Sequence, residues 1–237
     1  MKNIKAEFKV QPINLILIIL MVIIYLAEVY VAGGLTISTH VLFQFGASFT
    51  PSILLDNEWW RLITAGFLHI TWMHITFNLV ILYWIGRLLE QAIGSWRYLG
   101  LFLVTDVIGN LFGMAFGSVN VISAGASGAI YGLFGTFIVL GVLARWQGFW
   151  GDQARTIGVL VILSMATSLF ASNIDLWAHI GGVLGGIVFT PILISHRVLA
   201  NRFKMPELVR SLSIIVTIGM VVALIILGVN HGYANFY

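Results

Sequence analysis

The sequence predicts an all-α, polytopic membrane helical bundle, on three observations. Mean hydropathy is +1.00. Apolar residues make up 59% of the 237-residue chain and charged residues only 9%, whereas an ordinary soluble domain carries about 25% charged residues. The apolar runs last about twenty residues, enough to cross a bilayer as a helix, whereas a barrel would show alternating strands of about ten. The net charge of +3 does not point to nucleic acid, because the positive charges sit at the ends of the apolar runs. The chain has no cysteine, which excludes a disulfide, a thiolate nucleophile and a Cys-type metal site.

Seven spans follow, at roughly 11–32, 69–89, 97–117, 126–144, 156–172, 176–196 and 209–229. Lys2, Lys5 and Lys9 precede the first run as they would in a signal peptide. That run, Ile13 to about Val31, is long enough to span, and no small-residue cleavage site follows, so it reads as a retained span. The loop 33–68 is the longest connection; it holds Pro51, Asp56, Glu58, Trp59 and Trp60, and its aromatic rings suit the headgroup layer. The connection 146–154, WQGFWGDQA, reads as a short interfacial turn. With the N-terminus inside, Lys2, Lys5, Lys9, Arg87, Arg97, Arg145, Arg155, Arg197, Arg202, Lys204 and Arg210 fall on the cytoplasmic face. Arg61 alone falls outside, an eleven-to-one asymmetry that supports both count and orientation. The last span, Ser211 to about Val229, has no acid, base or histidine and reads as structural packing. No internal repeat, soluble domain or linker is visible.

Ionisable and amide groups inside spans are costly and default to functional candidates. The second span offers His69-x4-His74-x3-Asn78, with His74 and Asn78 four apart on one face. The fourth offers Ser127 and Tyr131, again four apart, beside Gly128, Gly132 and Gly135. The sixth offers Asp175-x3-His179, followed by Gly182 and Gly186. Ser127 stands 18 residues before Arg145 and His179 stands 18 before Arg197. At 1.5 Å per residue, both lie roughly 27 Å from one membrane face. Small-residue stripes let helices approach closely in lipid, so Gly128-x3-Gly132 and Gly182-x3-Gly186 would bring spans four and six together. Taken alone, such stripes read as packing; a buried histidine at the matching depth favours a catalytic reading.

The chemistry that fits is nucleophilic catalysis. A serine hydroxyl attacks poorly until a base takes its proton, which neutral imidazole does well near pH 7. Asp175 begins its span and reads as an N-terminal cap rather than a third catalytic group, so a Ser127–His179 dyad is the simpler proposal. Tyr131 either stacks on the imidazole or packs as an ordinary aromatic. His74, Asn78 and the Ser127 N–H suit the developing oxyanion. A zinc site from His69, His74 and His179 is disfavoured, since no HExxH pattern accompanies them and an amide is a poor ligand. His40, His196 and His231 lie in loops or at ends and receive no role. Asp106, with Asn110 one turn on, reads as a structural hydrogen-bonding group.

Together these residues resemble the rhomboid family of intramembrane serine proteases. The resemblance is carried by Trp60-Arg61, His69-x4-His74-x3-Asn78, Gly125-Ala126-Ser127-Gly128 with Tyr131, and Ala178-His179-x2-Gly182-x3-Gly186, in order over about 55–197. A soluble α/β-hydrolase would need a strand before its nucleophile, and none is expected here. The resemblance implies a six-span catalytic core at 11–197, a cytoplasmic tail at 1–10, and at 198–237 a cytoplasmic connection, a seventh span and an external C-terminus. It implies Ser127 as nucleophile, His179 as general base, and His74 and Asn78 at the oxyanion. Gly125 and Gly128 would shape the helix start, with Tyr131, Gly182 and Gly186 in support. Arg61 and Glu90 look like the family's structural polar positions.

The implied substrates are transmembrane segments of membrane proteins, cut near the outer face with small residues at the cut site. The setting is the lipid of a bacterial or archaeal plasma membrane. No metal, organic cofactor or nucleic acid is implied. Hydrolysis needs water, so span four should begin below the outer surface, with Gly117–Asn120 and Ser123 descending to it. Substrate entry is expected past the fifth span and the 172–175 connection. Two rivals are a non-catalytic relative that binds transmembrane helices and a proton-relaying transporter; the first would lack Ser127 or His179, the second would spread charge along a pathway.

Overall fold

The computed structural model describes residues 4–168, 175–194 and 205–236. A short α1 (Ile4–Val10) leads into α2 (Pro12–Ala32). The first turn of α2 leaves backbone N–H groups without helical partners. Both Glu90 oxygens accept from it, at 3.0 Å from the Ile13 nitrogen and 2.8 Å from that of Asn14. The first loop folds into α3 (Thr39–Phe45), α4 (Thr50–Leu55), α5 (Arg61–Thr64) and a 3-10 turn at Ala65–Phe67. Buried Arg61 organises it, bonding Glu58 at 2.6 Å and the carbonyls of Phe43 (2.9 Å) and Ala47 (3.0 Å). Both Glu90 and Arg61 thus take structural places.

The second long helix runs through α6 (Trp72–Ile81), a π turn at Leu82–Gly86 and α7 (Arg87–Ile93). It starts three residues after His69, because Thr71 caps it by accepting from the His74 N–H at 3.2 Å. The carbonyl of Leu82, where the π turn begins, is taken by Asn14 Nδ2 at 3.0 Å, and Tyr98 donates to the other end of that amide at 2.7 Å. The remaining long helices are α8 (Ser95–Phe116), α9 (Ser127–Leu143), α10 (Gly148–Ser168), α11 (Leu176–Leu193) and α12 (Glu207–Phe236). α8, α9 and α11 pack mutually at the centre; α10 leans on α9, and α12 lies against α8 and α11. The core around them is aliphatic and aromatic, with Met21, Leu82, Tyr98, Phe102 and Phe137 fully enclosed.

Two elements depart from expectation. Residues 148–154 are not a turn but the opening of α10. The turn lies just before, where Arg145 and Trp146 take positive φ values of 52° and 58°. Asp152 then bonds Arg155 at 2.5 Å within the new helix. α12 also runs past the expected end near 229 to Phe236, which places His231 inside a helix. The 172–174 part of the expected entry connection, His196 and the last residues of spans five and six lie outside the described residues. Among the described residues there is no strand, only isolated bridges pairing Thr36 with Thr71 and Ser48 with Ser123. Among the described residues five helices are long and apolar enough to cross a membrane: Pro12–Ala32, Trp72–Ile93, Ser95–Phe116, Leu176–Leu193 and Glu207–Phe236. α9, apolar throughout, is shorter at 17 residues.

Candidate active site

Ser127 is the first residue of α9, preceded by Ala126, which offers the helix no side-chain cap. Gly125 sets the approach. Its φ is +140°, a conformation that side chains strain against. A Cβ there would stand 2.7 Å and 2.8 Å from two atoms of the His74 ring. Its N–H is fixed to the Ala65 carbonyl at 2.9 Å, so the chain threads beneath His74 just before the serine.

His179 comes from the first turn of α11. Asp175 caps that turn, accepting from the Ala178 N–H at 3.0 Å, as expected of it. The imidazole is buried, yet its Nε2 stands 2.9 Å from the Ser127 Oγ. Nδ1 is buried with no hydrogen-bond partner among the described residues, so no carboxylate completes a triad there. Tyr131 lies under the imidazole with centroids 4.1 Å apart and planes within 12°, which settles its orientation as stacked. Its phenol meets the hydroxyl of Ser164 on α10.

The contact between α9 and α11 depends on glycine. A Cβ on Gly182 would run into the Gly128 carbonyl, and one on Gly186 into that of Gly132. Backbone cannot yield as a side-chain tip can, so only hydrogen fits at either position. Gly128 also faces Gly109 of α8, where an added Cβ would reach the Gly109 Cα at 3.9 Å. The stripes read from sequence therefore form the seam that brings Ser127 to His179.

α6 supplies His74, whose ring lies against Gly125 beside the serine, and Asn78. His74 is partly exposed, and its ring meets that of His69 edge-on at 5.2 Å. Asn78, one turn on, is buried with its Nδ2 unpartnered among the described residues. His69 is fully buried. Its N–H donates to Glu28 at 3.3 Å, while both ring nitrogens lack a partner among the described residues. No group of three or more His, Cys, Asp or Glu among the described residues is placed to hold a metal ion.

Asp106 corrects an expectation. Its carboxyl is buried against Gly66 and bonds nothing among the described residues; Asn110 makes the structural contacts instead, donating to the Leu62 carbonyl at 3.0 Å. Sequence reasoning also passed over Glu28 and Ser164. Glu28 was visible as an acid in an apolar run, whereas a lone serine such as Ser164 carries no signal.

A family model for the rhomboid domain matches residues 56–196, more than half of the chain. The chain belongs to the rhomboid family. With its apolar helices it is an integral, multi-pass membrane protein. Curated proteins are similar to this rhomboid. Rhomboid protease GluP of Bacillus subtilis is 36% identical over 154 residues, 65% of this chain and 29% of GluP. The putative rhomboid protease YdcA of the same organism is 31% identical over 60% of this chain and 71% of its own length. Rhomboid-like protease 1 of Toxoplasma gondii is 30% identical over 63% of this chain and 52% of its length. The chain thus spans under a third of GluP and about half of the Toxoplasma relative.

Proposed function

We propose that this rhomboid is an intramembrane serine endopeptidase that cleaves transmembrane segments of membrane proteins near the outer face by a Ser127–His179 dyad. The observation that carries the reading is the 2.9 Å contact between Ser127 Oγ and His179 Nε2. Protease activity is also what the names of its relatives describe.

In this reading Nε2 accepts the Oγ proton as Oγ attacks the scissile carbonyl. The resulting oxyanion takes hydrogen bonds from the Ser127 N–H, the Asn78 amide and His74. The imidazolium then gives its proton to the leaving amine, the carbon–nitrogen bond breaks, and an acyl-enzyme remains on Ser127. Water, deprotonated by the same Nε2, attacks the ester carbonyl; the carboxylic acid leaves and Oγ regains its proton. Stacking on Tyr131 holds the ring in line for both transfers. A substrate helix must first unwind, because its carbonyls are bonded internally and shielded.

The length of α9 supports a sunken site. Seventeen residues rise about 25 Å, less than the roughly 30 Å hydrocarbon core, so a helix flush with one face begins below the other. Ser127 and His74 are both partly exposed, as water access requires. The rest of the proposal is seven spans with the N-terminus cytoplasmic and the C-terminus external. It takes 11–197 as the catalytic core, 1–10 as the tail and 198–237 as the added segment.

A fluorophosphonate reagent tests the assignment. The full chain is expected to label, His179→Ala to label far more slowly and Ser127→Ala not at all. Label that survives Ser127→Ala would refute the nucleophile and the mechanism with it.

A further inference from the structure

The last helix does more than the packing its composition implies. α12 has 30 residues, a length of about 45 Å, half again the hydrocarbon thickness. Its final turns lie at the Ser127 end of the bundle. There His231 Nε2 is 3.0 Å from the carbonyl of Gly117. Gly117 follows directly on α8 and opens the connection to Ser127; carbonyls at a helix C-terminus lack helical partners and need one from elsewhere. A carbonyl can only accept, so Nε2 is the protonated nitrogen of His231.

Around this bond α12 touches both segments that frame the site. Gly232 seats on Leu54 and Thr50 of α4, and Gly228 on Met114 of α8. The connection that follows α8 is in turn tied to the first loop. Ser48 and Ser123 exchange two backbone bonds of 2.9 Å each, and Gly125 N–H holds Ala65 at 2.9 Å. The connection 117–126 is therefore pinned at Ser123 and Gly125 by the first loop, and at Gly117 by α12. Of these ties, the one to Gly117 is the one made by a side chain from outside the six-span core.

We propose that His231 is a positioning residue for the acyl-transfer site, holding Gly117 so that the connection delivers Ser127 to His179. The inference rests on the catalytic reading above. His231 touches no reacting atom; its effect passes through the placement of the serine. Small displacements of a nucleophile are costly, since about 1 Å can take up to 100-fold from a rate.

The test compares His231→Gln with His231→Met in the full chain, in proteoliposomes with a transmembrane substrate. The two side chains match in length, and only glutamine can donate to Gly117. Glutamine is expected to keep kcat near the unsubstituted chain, while methionine lowers it about tenfold at unchanged KM, as misplacement of this kind would. Leu224→Ala, which loosens α12 within its buried apolar contacts, should lower thermal stability and leave kcat alone. Equal kcat for Gln and Met, or a kcat loss in Leu224→Ala that matches methionine's, overturns the proposal. If neither His231 variant accumulates, a chain ending at Asn230 replaces them, and full activity there overturns it equally. Absence of Ser127-dependent labelling in the unsubstituted chain would instead strike the catalytic reading, so the two failures are distinct.

Discussion

Two of the seams around α9 are built differently. Against α11 it presents glycine to carbonyl, with Gly182 on Gly128 and Gly186 on Gly132, so backbone meets backbone. Against α10 it presents side chains: Phe137 to Trp150 at 5.9 Å, and Tyr131 to Ser164. Beyond Val161 the outer surface of α10 is open, with Ile162 72% and Leu163 61% exposed. A backbone contact has one register and no rotamers with which to adapt, whereas side chains can repack. The rigid seam carries Ser127 and His179; the adaptable one borders them. The rigid seam holds the pair that the proposed chemistry needs, and the adaptable one lies where the proposal has substrate enter.

The largest effect should come from filling the rigid seam. Gly186→Leu pushes a side chain into the Gly132 carbonyl, with overpacking costs of about 3 kcal/mol or more, since backbone rather than a flexible tip must move. Thermal stability should fall and fluorophosphonate labelling vanish as Ser127 and His179 separate. Gly158→Leu on α10 is the matched control, because nothing lies within 4 Å of the added carbon. It should leave both measurements near their starting values. If Gly158→Leu proved as damaging as Gly186→Leu, the contrast between the seams would be lost.

The second break tests the adaptable seam. The chain has no cysteine, so a pair introduced on α10 and α6 can be joined by one bifunctional reagent. Locking α10 should abolish cleavage of a transmembrane substrate. Labelling by a small fluorophosphonate should persist, since the reagent needs no helix to be admitted. Undiminished cleavage after cross-linking would remove α10 from the entry route.

The rigid seam was the legible one. Glycine spacing and the matched distances of Ser127 and His179 from their arginines are one-dimensional facts that helix geometry converts directly into depth. The start of α11 was legible for a similar reason, as Asp175 three residues before a bonded N–H is a local pattern. What escaped depends on contacts remote in sequence. Ser164 gains meaning from Tyr131, 33 residues away, and Glu28 from His69, 41 away. Asp106 was misread because its neighbour Asn110 reaches Leu62 in the first loop, a segment whose helices no hydropathy window resolves. His231 was set aside because α12 was expected to end before it.

Tyr131 joins the two seams, and the smallest expected effect separates its two contacts. Its ring stacks on His179, and its hydroxyl bonds Ser164 on the adaptable side. Tyr131→Phe keeps the ring and removes only the hydroxyl contact, a change of about 1 kcal/mol. Labelling by fluorophosphonate should stay within about twofold, because orientation of the imidazole comes from stacking, a term of about 0.5–1.5 kcal/mol that phenylalanine retains. Ser164→Ala removes the same bond from the other side, so adding Tyr131→Phe to it should cost no more than Ser164→Ala alone. Tyr131→Ala, which removes the ring, should lower labelling well beyond all three. Were Tyr131→Phe to fall as far as Tyr131→Ala, the bond to α10 rather than the stacked ring would be what holds His179 in line, and the two seams would be coupled through a single hydroxyl.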